Sequence, residues 1–586
     1  MTSLRTITPF IAVAALAAAC AGPSTEPSPD LFVDLFIDAT REAGLDGFRH
    51  ERGAAGDHWM PETYGAGVAF VDYDGDGWAD VAAVGGGVWA APAEGPAAIT
   101  LYRNLGDGRF RDVTKETGLD RYRAIGFGIA GADMDNDGDL DLYLTALGPN
   151  LLLRNDDGVF VDVAAEAGVA GDAWSTAALF FDANRDGLVD LYVGQYVDWT
   201  PETDRWCTSD GVNKDYCMPH AYEGVGARFY LNAGDSRFID RTREAGMDDN
   251  PGKTLGAAEY DLNADGWPDV VVANDTRRNL VYLNRKDGTF EEVGIRSGVA
   301  YDDNGRARAG MGLDIGVLDG TGKPSIVIGN FSEEMVGVYR EVGGGIYRDL
   351  APASGIGMAS KQVLTFGVLL ADVDLDADLD VLLANGHILE QVAEMQDGMT
   401  YRQPAQLFMN QGDGRFELAG ADRARVLAEP LVARGAAYAD YDRDGDLDVL
   451  LTENGGPLHL WRNQTDPATG ADAHALRLYL AGRRSPRDAL GARVVAVANG
   501  RMRQERRVRA GGSYLSQSET TLTLGLGPVD RLDTLRIHWP SGWVDTYEQL
   551  EAGRELRLTE GVREAEVLRI WATPGTPAPQ ERTESL

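Results

Sequence analysis

Residues 72–80 read DYDGDGWAD, four carboxylates in nine positions. Acids packed this closely repel one another, so the stretch is costly unless something positive or hydrogen-bonding compensates them. It recurs as DMDNDGDLD from 133, DANRDGLVD from 182, DLNADGWPD from 261, DVDLDADLD from 372 and DYDRDGDLD from 440. A decayed copy, LDGTGKPSIVIGN, begins at 318. Hard oxygen donors at positions 1, 3, 5 and 9, with a turn glycine at 6, are what Ca²⁺ coordination requires. Mg²⁺ fits less well, because it demands stricter octahedral geometry and keeps its waters. The loop opens like an EF-hand but closes at position 9, and β-type sequence flanks it.

The expected calcium ligands are therefore Asp72, Asp74, Asp76 and Asp80; Asp133, Asp135, Asp137 and Asp141; and Asp182, Asn184, Asp186 and Asp190. The later loops supply Asp261, Asn263, Asp265 and Asp269; Asp372, Asp374, Asp376 and Asp380; and Asp440, Asp442, Asp444 and Asp448. This makes up to six Ca²⁺ sites. The decayed copy keeps Asp319 but has Val317, Thr321 and Ser325 at the other ligand places, so no ion is expected there.

Two further motifs cycle with the loop. One has the form F-x-D-x-T-x-x-A-G, as in FIDATREAG at 36, FRDVTKETG at 110, FVDVAAEAG at 160 and FIDRTREAG at 238. Weaker copies stand at 290, 347 and 416. The other has the form L-Y-x-N: LYRN at 101, LLRN at 152, FYLN at 229, VYLN at 281, GVYR at 337, LFMN at 407 and LWRN at 460. Apolar runs flank each loop, and LYRNLGDGRFRDV reads as a hairpin around Gly-Asp-Gly. Each unit thus offers four short strands, with no convincing amphipathic helix.

Seven such units predict an all-β, seven-bladed β-propeller over residues 32–465. The chain enters partway through a unit and leaves the last one at LWRN. The N-terminal strand is therefore expected to complete the seventh blade and close the ring. A solenoid would instead need distinct caps.

A chain of 586 residues with 44% hydrophobic content has ample material for a core. A formal charge of −38 excludes nucleic acid as a natural partner. More than a quarter of the acids lie in the six loops. Residues 1–19 read as a signal peptide, too short in its apolar run to span a bilayer. Cys20, after three alanines, resembles the lipidated cysteine of bacterial lipoproteins, although Leu16 stands one place further upstream than the usual apolar position. Residues 20–31 form a Pro/Ser-rich tether. Ala21 points to outer-membrane sorting if Cys20 is lipidated; plain secretion is the alternative. The membrane would then be touched only through an N-terminal lipid anchor. Cys207 and Cys217 read as a disulfide in an exported protein, with zinc as the weaker alternative because only His220 is nearby.

The repeats resemble the FG-GAP/VCBS units of integrin α-like propellers. The segment from SPRDALGAR at 485 through GGSYLSQS, LGLG and WPSG resembles the ASPIC/UnbV domain. Together they identify the chain as a bacterial member of the cartilage acidic protein family. That resemblance implies an extracellular Ca²⁺-binding protein of adhesion or ligand binding. Residues 472–560 read independently as a second, small β-domain, and 561–586 as a disordered tail. The run RMRQERRVR within the small domain suits either a solvated strand face or a cationic face docking on the acidic propeller or an anionic glycan.

No catalytic motif is legible: there is no Gly-x-Ser-x-Gly, phosphate loop or His-Glu-x-x-His. At the face opposite the loops, Glu62, Asn274, Asn385 and His387 are candidates for a polar ring that holds a ligand. The competing reading is that such amides cap strand ends. The expected function is a binding or adhesion module for an extracellular or cell-surface protein or a polysaccharide. The alternative is an enzyme acting on a glycan or secondary metabolite at the mouth or in the interdomain groove.

Overall fold

Each repeat folds as one four-stranded antiparallel sheet. The computed structural model describes residues 34–571, apart from 90–93, 209, 249–251, 466, 468–472 and 501. The expected signal peptide, Cys20 and tether lie outside the described residues. Blade 1 comprises Val68–Val71, Asp80–Val84, Ile99–Asn104 and Phe110–Asp112, from axis to rim. The innermost strands of blades 2 to 7 are Gly126–Ala132, Ser175–Phe181, Thr254–Tyr260, Leu313–Gly316, Thr365–Ala371 and Ala433–Ala439. These strands touch in cyclic order, with Val68–Val71 against both Gly126–Ala132 and Ala433–Ala439. The fold is a seven-bladed β-propeller.

Blade 7 takes its outer strand from the other end of the propeller sequence. Phe36–Asp38 pairs antiparallel with Leu458–Asn463, Phe36 facing Asn463. Asp34 adds a second clasp, its carboxylate receiving the Arg425 guanidinium at 2.5 Å.

The rim motif has a local logic. In Phe110–Asp112 the phenyl ring enters the blade core, and the Asp112 carboxylate accepts the Thr114 N–H at 2.9 Å, starting a turn. The Thr114 hydroxyl accepts the Leu101 N–H of the third strand at 3.0 Å. The closing glycine is left-handed, Gly118 at φ 77° and Gly168 at φ 82°, positions a side chain rarely adopts. In blades 2 and 4 this turn tightens into one turn of helix, Ala164–Ala167 and Gly294–Ser297. With Ala351–Ser354, Ile356–Ser360, Val392–Met395 and a few 3-10 turns, they make up the helical content among the described residues that the strand pattern concealed.

The second domain holds two four-stranded sheets. One runs Leu522–Gly527, His474–Ala481, Arg554–Thr559, Glu566–Ile570; the other runs Met502–Arg507, Arg493–Ala498, Arg531–His538, Val544–Glu551. His474–Ala481 and Arg554–Thr559 pair in parallel. The expected boundary at 560 falls short: Glu566–Ile570 completes the first sheet, and the Trp571 indole donates to the Arg443 carbonyl at 3.0 Å. Alternation in EVLRI is enough for an edge strand, which a search for a polar tail overlooks. Among the described residues no helix is long and apolar enough to cross a membrane.

Candidate metal centre

All six loops share one backbone form. In loop 1 the Asp72 carboxylate accepts the N–H groups of Asp76 (3.1 Å) and Gly77 (2.9 Å), and Asp76 accepts that of Trp78. Asp80 receives Tyr73 N–H at 3.2 Å and Asn104 N–H at 2.7 Å. Asp141, Asp190, Asp269, Asp380 and Asp448 repeat that double role. Position 6 is left-handed even where alanine replaces glycine, with Ala377 at φ 86°. Position 4 is left-handed too, in Gly75, Asn136, Arg185, Ala264, Leu375 and Arg443. Sequence reading missed this, because no residue type marks the position.

Carboxylate oxygens gather within 4.8 Å in four loops: Asp72, Asp74 and Asp80; Asp133, Asp135 and Asp141; Asp372, Asp374 and Asp376; Asp440, Asp442 and Asp448. In loops 3 and 4 the third position is Asn184 or Asn263, each accepting the N–H two residues on at 3.0 Å. Oδ1 of Asp135, Asp372, Asp374 and Asp442 is buried with no hydrogen-bond partner. Burial pushes Asp80 up to about 9, Asp141, Asp269 and Asp372 to about 8, and Asp133 to about 7, with neighbouring carboxylates adding to the rise. An all-oxygen donor set holding orphaned carboxylate oxygens fits a hard divalent cation. Cationic side chains also reach some loops. Arg103 pairs with Asp74 (2.7 Å) and Asp76 (2.9 Å), Lys286 with Asp265 (3.2 Å), and Arg423 with Asp374 (3.1 Å).

The decayed loop of blade 5 is filled by protein cations. Arg340 lies 3.5 Å from Asp319, and Lys323 pairs with Glu341 at 2.5 Å. Strand register corrects the reading of GVYR at 337. Tyr339 faces Asp349 as Tyr102 faces Asp112, so the frame is Val338–Glu341 and Glu341 occupies the asparagine place.

That asparagine has a role the motif did not disclose. Asn104 donates from Nδ2 to the Ala79 carbonyl of its own loop (3.0 Å) and to the Tyr441 carbonyl of loop 7 (2.8 Å). Asn155, Asn232, Asn284, Asn410 and Asn463 repeat the pattern, each reaching back to the preceding blade's loop. Only blade 5, with Glu341, substitutes the residue.

The loop face is covered by the second domain. Arg507 approaches Asp261 (3.3 Å), Arg506 approaches Asp372 (3.4 Å) and Arg477 approaches Asp440 (2.6 Å). Arg509 pairs with Asp314 at 2.7 Å. Asp488 accepts the Asp133 N–H (3.2 Å), and Glu519 accepts that of Asp440 (2.8 Å). Of the two meanings open to the arginine run, the structure selects docking on the acidic propeller. The ASPIC/UnbV-like pieces make the same contacts: Arg487 N–H to Asn136, Gly527 N–H to the Leu375 carbonyl, and the Pro540 carbonyl to Arg185.

GGSYLSQS enters the propeller axis. Ile129 N–H donates to Leu515, Leu313 N–H to Ser513, and Gln517 N–H to Val68. Gln517 also clasps Gly131 with both ends of its amide, at 2.8 and 3.1 Å. The inner strands are glycine-bearing here for lack of space: a Cβ on Gly67 would lie 1.7 Å from the Leu515 carbonyl oxygen. Tyr514 and Leu515 end in an apolar cluster with Phe127, Trp174, Met311 and Phe366.

The four residues expected at the far mouth are all buried. Asn274 accepts from Lys253 N–H and the Thr254 hydroxyl and donates to the Arg278 carbonyl. Asn385 accepts the Thr365 hydroxyl at 2.7 Å and donates to the Pro404 carbonyl. Both amides brace strand ends. Glu62 accepts Trp59 N–H and the Tyr216 hydroxyl. His387 accepts Leu389 N–H, and burial beside Arg434 pushes it down to about 4. Arg434 lies between them, donating to the Thr63 and His387 carbonyls while stacking 3.9 Å from Phe366. Tyr64, Tyr196 and Asp275 fill the rest of the mouth, with Tyr196 donating to Asp275 at 2.5 Å. The Cys207–Cys217 disulfide is formed, and Trp206 beside it is 69% exposed.

Residues 482–565 match the family described as ASPIC and UnbV, and residues 72–144, 133–193 and 261–315 match the FG-GAP-like repeat. Cartilage acidic protein 1 of Xenopus tropicalis is 25% identical over an alignment of 491 residues, covering 72% of this chain and 71% of the relative. The Homo sapiens protein of that name is 24% identical over 487 residues, covering 71% and 69%. Among solved structures, an Agrocybe aegerita lectin that recognises non-reducing terminal N-acetylglucosamine aligns with TM-score 0.39 and 15% identity, over 78% of this chain and 98% of the lectin.

Proposed function

Because the chain belongs with the cartilage acidic proteins by its FG-GAP-like repeats and ASPIC/UnbV domain, we propose that it is an exported, calcium-braced binding or adhesion module. The observation that carries the calcium reading is the orphaned, buried Oδ1 at the third position of loops 2, 6 and 7. Calcium would supply the positive charge that these carboxylates lack, in as many as six loops. The formed disulfide supports export. Cys20 would supply a lipid anchor to the outer membrane.

The ligand is an extracellular or cell-surface protein or a polysaccharide. The second domain covers the loop face and its inserted segment fills the axis, so the ligand would meet the rim or the far face. Trp206, exposed on a disulfide-tied loop, is a fitting contact there. Two measurements test the reading. Calorimetry should count at least four bound calcium ions, and a smaller number would defeat the brace. A glycan and surface-protein screen should give binding that chelation weakens; no hit in either class would remove the adhesion role.

A further inference from the structure

We infer that the ion loops seat the second domain, so that calcium loading and insertion of residues 510–519 into the axis are linked. The inference rests on the calcium reading and extends it to the interface. Its basis is that first-position aspartates face two ways, Asp261, Asp372 and Asp440 through the carboxylate and Asp133 through its backbone N–H. Asp133, Asp261, Asp372 and Asp440 each belong to a loop, and each also meets the second domain.

At the Arg477 contact acids outnumber guanidiniums, three carboxylates to Arg477 and the Arg443 that shares Glu555. Arg477 is buried among Asp440 (2.6 Å), Glu519 (2.9 Å) and Glu555 (4.0 Å). Arg507 is buried among Asp261 (3.3 Å), Glu259 (3.8 Å) and Glu505 (4.0 Å). At loop 2 the second domain brings another carboxylate, Asp488, against Asp133 at a 3.2 Å hydrogen bond to its N–H. Like charges in a buried contact repel strongly, and a divalent ion behind Asp133 reverses that balance. Segment 513–517 then follows, because it belongs to the docked domain and the backbone of Ser513, Leu515 and Gln517 hydrogen-bonds to the inner strands.

The test is hydrogen exchange on the full chain in excess calcium and in chelator, with calorimetry on the same samples. Exchange in 510–519 should rise about tenfold or more on chelation, as local opening becomes easier, while the blade 1 strand Ile99–Asn104, which supplies no loop ligand, stays protected. Asp488→Asn should bind as many calcium ions as the wild type yet show a smaller rise, because the repulsive charge is gone. Calcium binding with exchange in 510–519 unchanged would overturn the linkage and leave the calcium reading standing. An Asp488→Asn response equal to wild type would also overturn it. Absence of calcium binding in calorimetry would take down both together. The wild-type comparison needs no variant, so misfolding of Asp488→Asn leaves the test intact.

Discussion

The side-chain amide of Asn155 in blade 2 donates a 2.7 Å hydrogen bond to the carbonyl of Tyr73 in the ion loop of blade 1. The same nitrogen lies 3.2 Å from the Leu140 carbonyl of its own loop. One amide thereby ties an aspartate-type loop to the next blade, and the arrangement recurs at six of the seven seams. Replacing Asn155 by leucine would take this donor from the buried Tyr73 carbonyl and from the partly buried Leu140 carbonyl. We expect a loss of about 1–3 kcal/mol, read as a lower denaturation midpoint.

Calcium removal should lower the apparent Tm, since an ion held at a hundred times its Kd adds about 2.7 kcal/mol per site. Asp442→Ala, which removes the oxygen donor that Asn184 and Asn263 still supply in their own loops, should reduce the calorimetric stoichiometry by one. Asp319→Asn, in the decayed loop where Arg340 already lies near the carboxylate, should leave the stoichiometry unchanged.

The axial insertion makes a sharp steric prediction. Gly67→Ala places a methyl group 1.7 Å from the Leu515 carbonyl oxygen, a backbone atom with no room to retreat. The variant should expose 510–519 to proteolysis while the rim hairpins keep their protection. Tyr514→Ala, which empties a fully buried site, should cost about 3–5 kcal/mol.

His50 sets an acid limit. It is buried, accepts the Gly455 N–H at 3.1 Å, and is pushed down to about 3 by burial, with Arg434 and Arg52 adding to the effect. Its folded pKa lies below the unfolded value of about 6.5, so its stabilising contribution is complete above that pH. The contribution is lost as pH falls from about 6.5 toward 3. His50→Gln should be destabilised at neutral pH relative to wild type by less at pH 4 than at pH 7, measured by denaturant titration at both values. A pH-independent difference would show that the imidazole does not titrate in this window.

The ring and its closure were legible because three motifs kept one phase, which fixes strand order without contacts. The clustering of oxygen donors was legible for the same reason: alternation at Asp72, Asp74 and Asp80 brings three carboxylates together in one loop. What Asn155 bonds to was not legible, since its partner, the Tyr73 carbonyl, belongs to every residue type alike. Blade 5 was misaligned by one place because Glu341 removed the asparagine that marks the frame. The cover over the loop face was only half visible. A run such as RMRQERRVR fits water as well as it fits carboxylates, and nothing local says which it meets. The far mouth was left between two readings for a related reason. Asn274 and Asn385 look alike as ligand hooks or as strand-end braces until their partners, Thr254 and Arg278 for one and Thr365 and Pro404 for the other, are seen.

Pairing of Phe36 with Asn463 also sets a timetable. The first strand of the propeller has no partner until the last blade has been made, and the axial segment comes later still. At synthesis rates of roughly 5–20 residues per second, the opening strand waits on the order of half a minute or more. Blades 1 to 6 can form as neighbours arrive, but the ring stays open throughout that interval. Closure is therefore confined to the time after residue 463 has emerged, so a product truncated before Leu458–Asn463 would carry an unpaired Phe36–Asp38 strand and would be visible to proteases as unfinished.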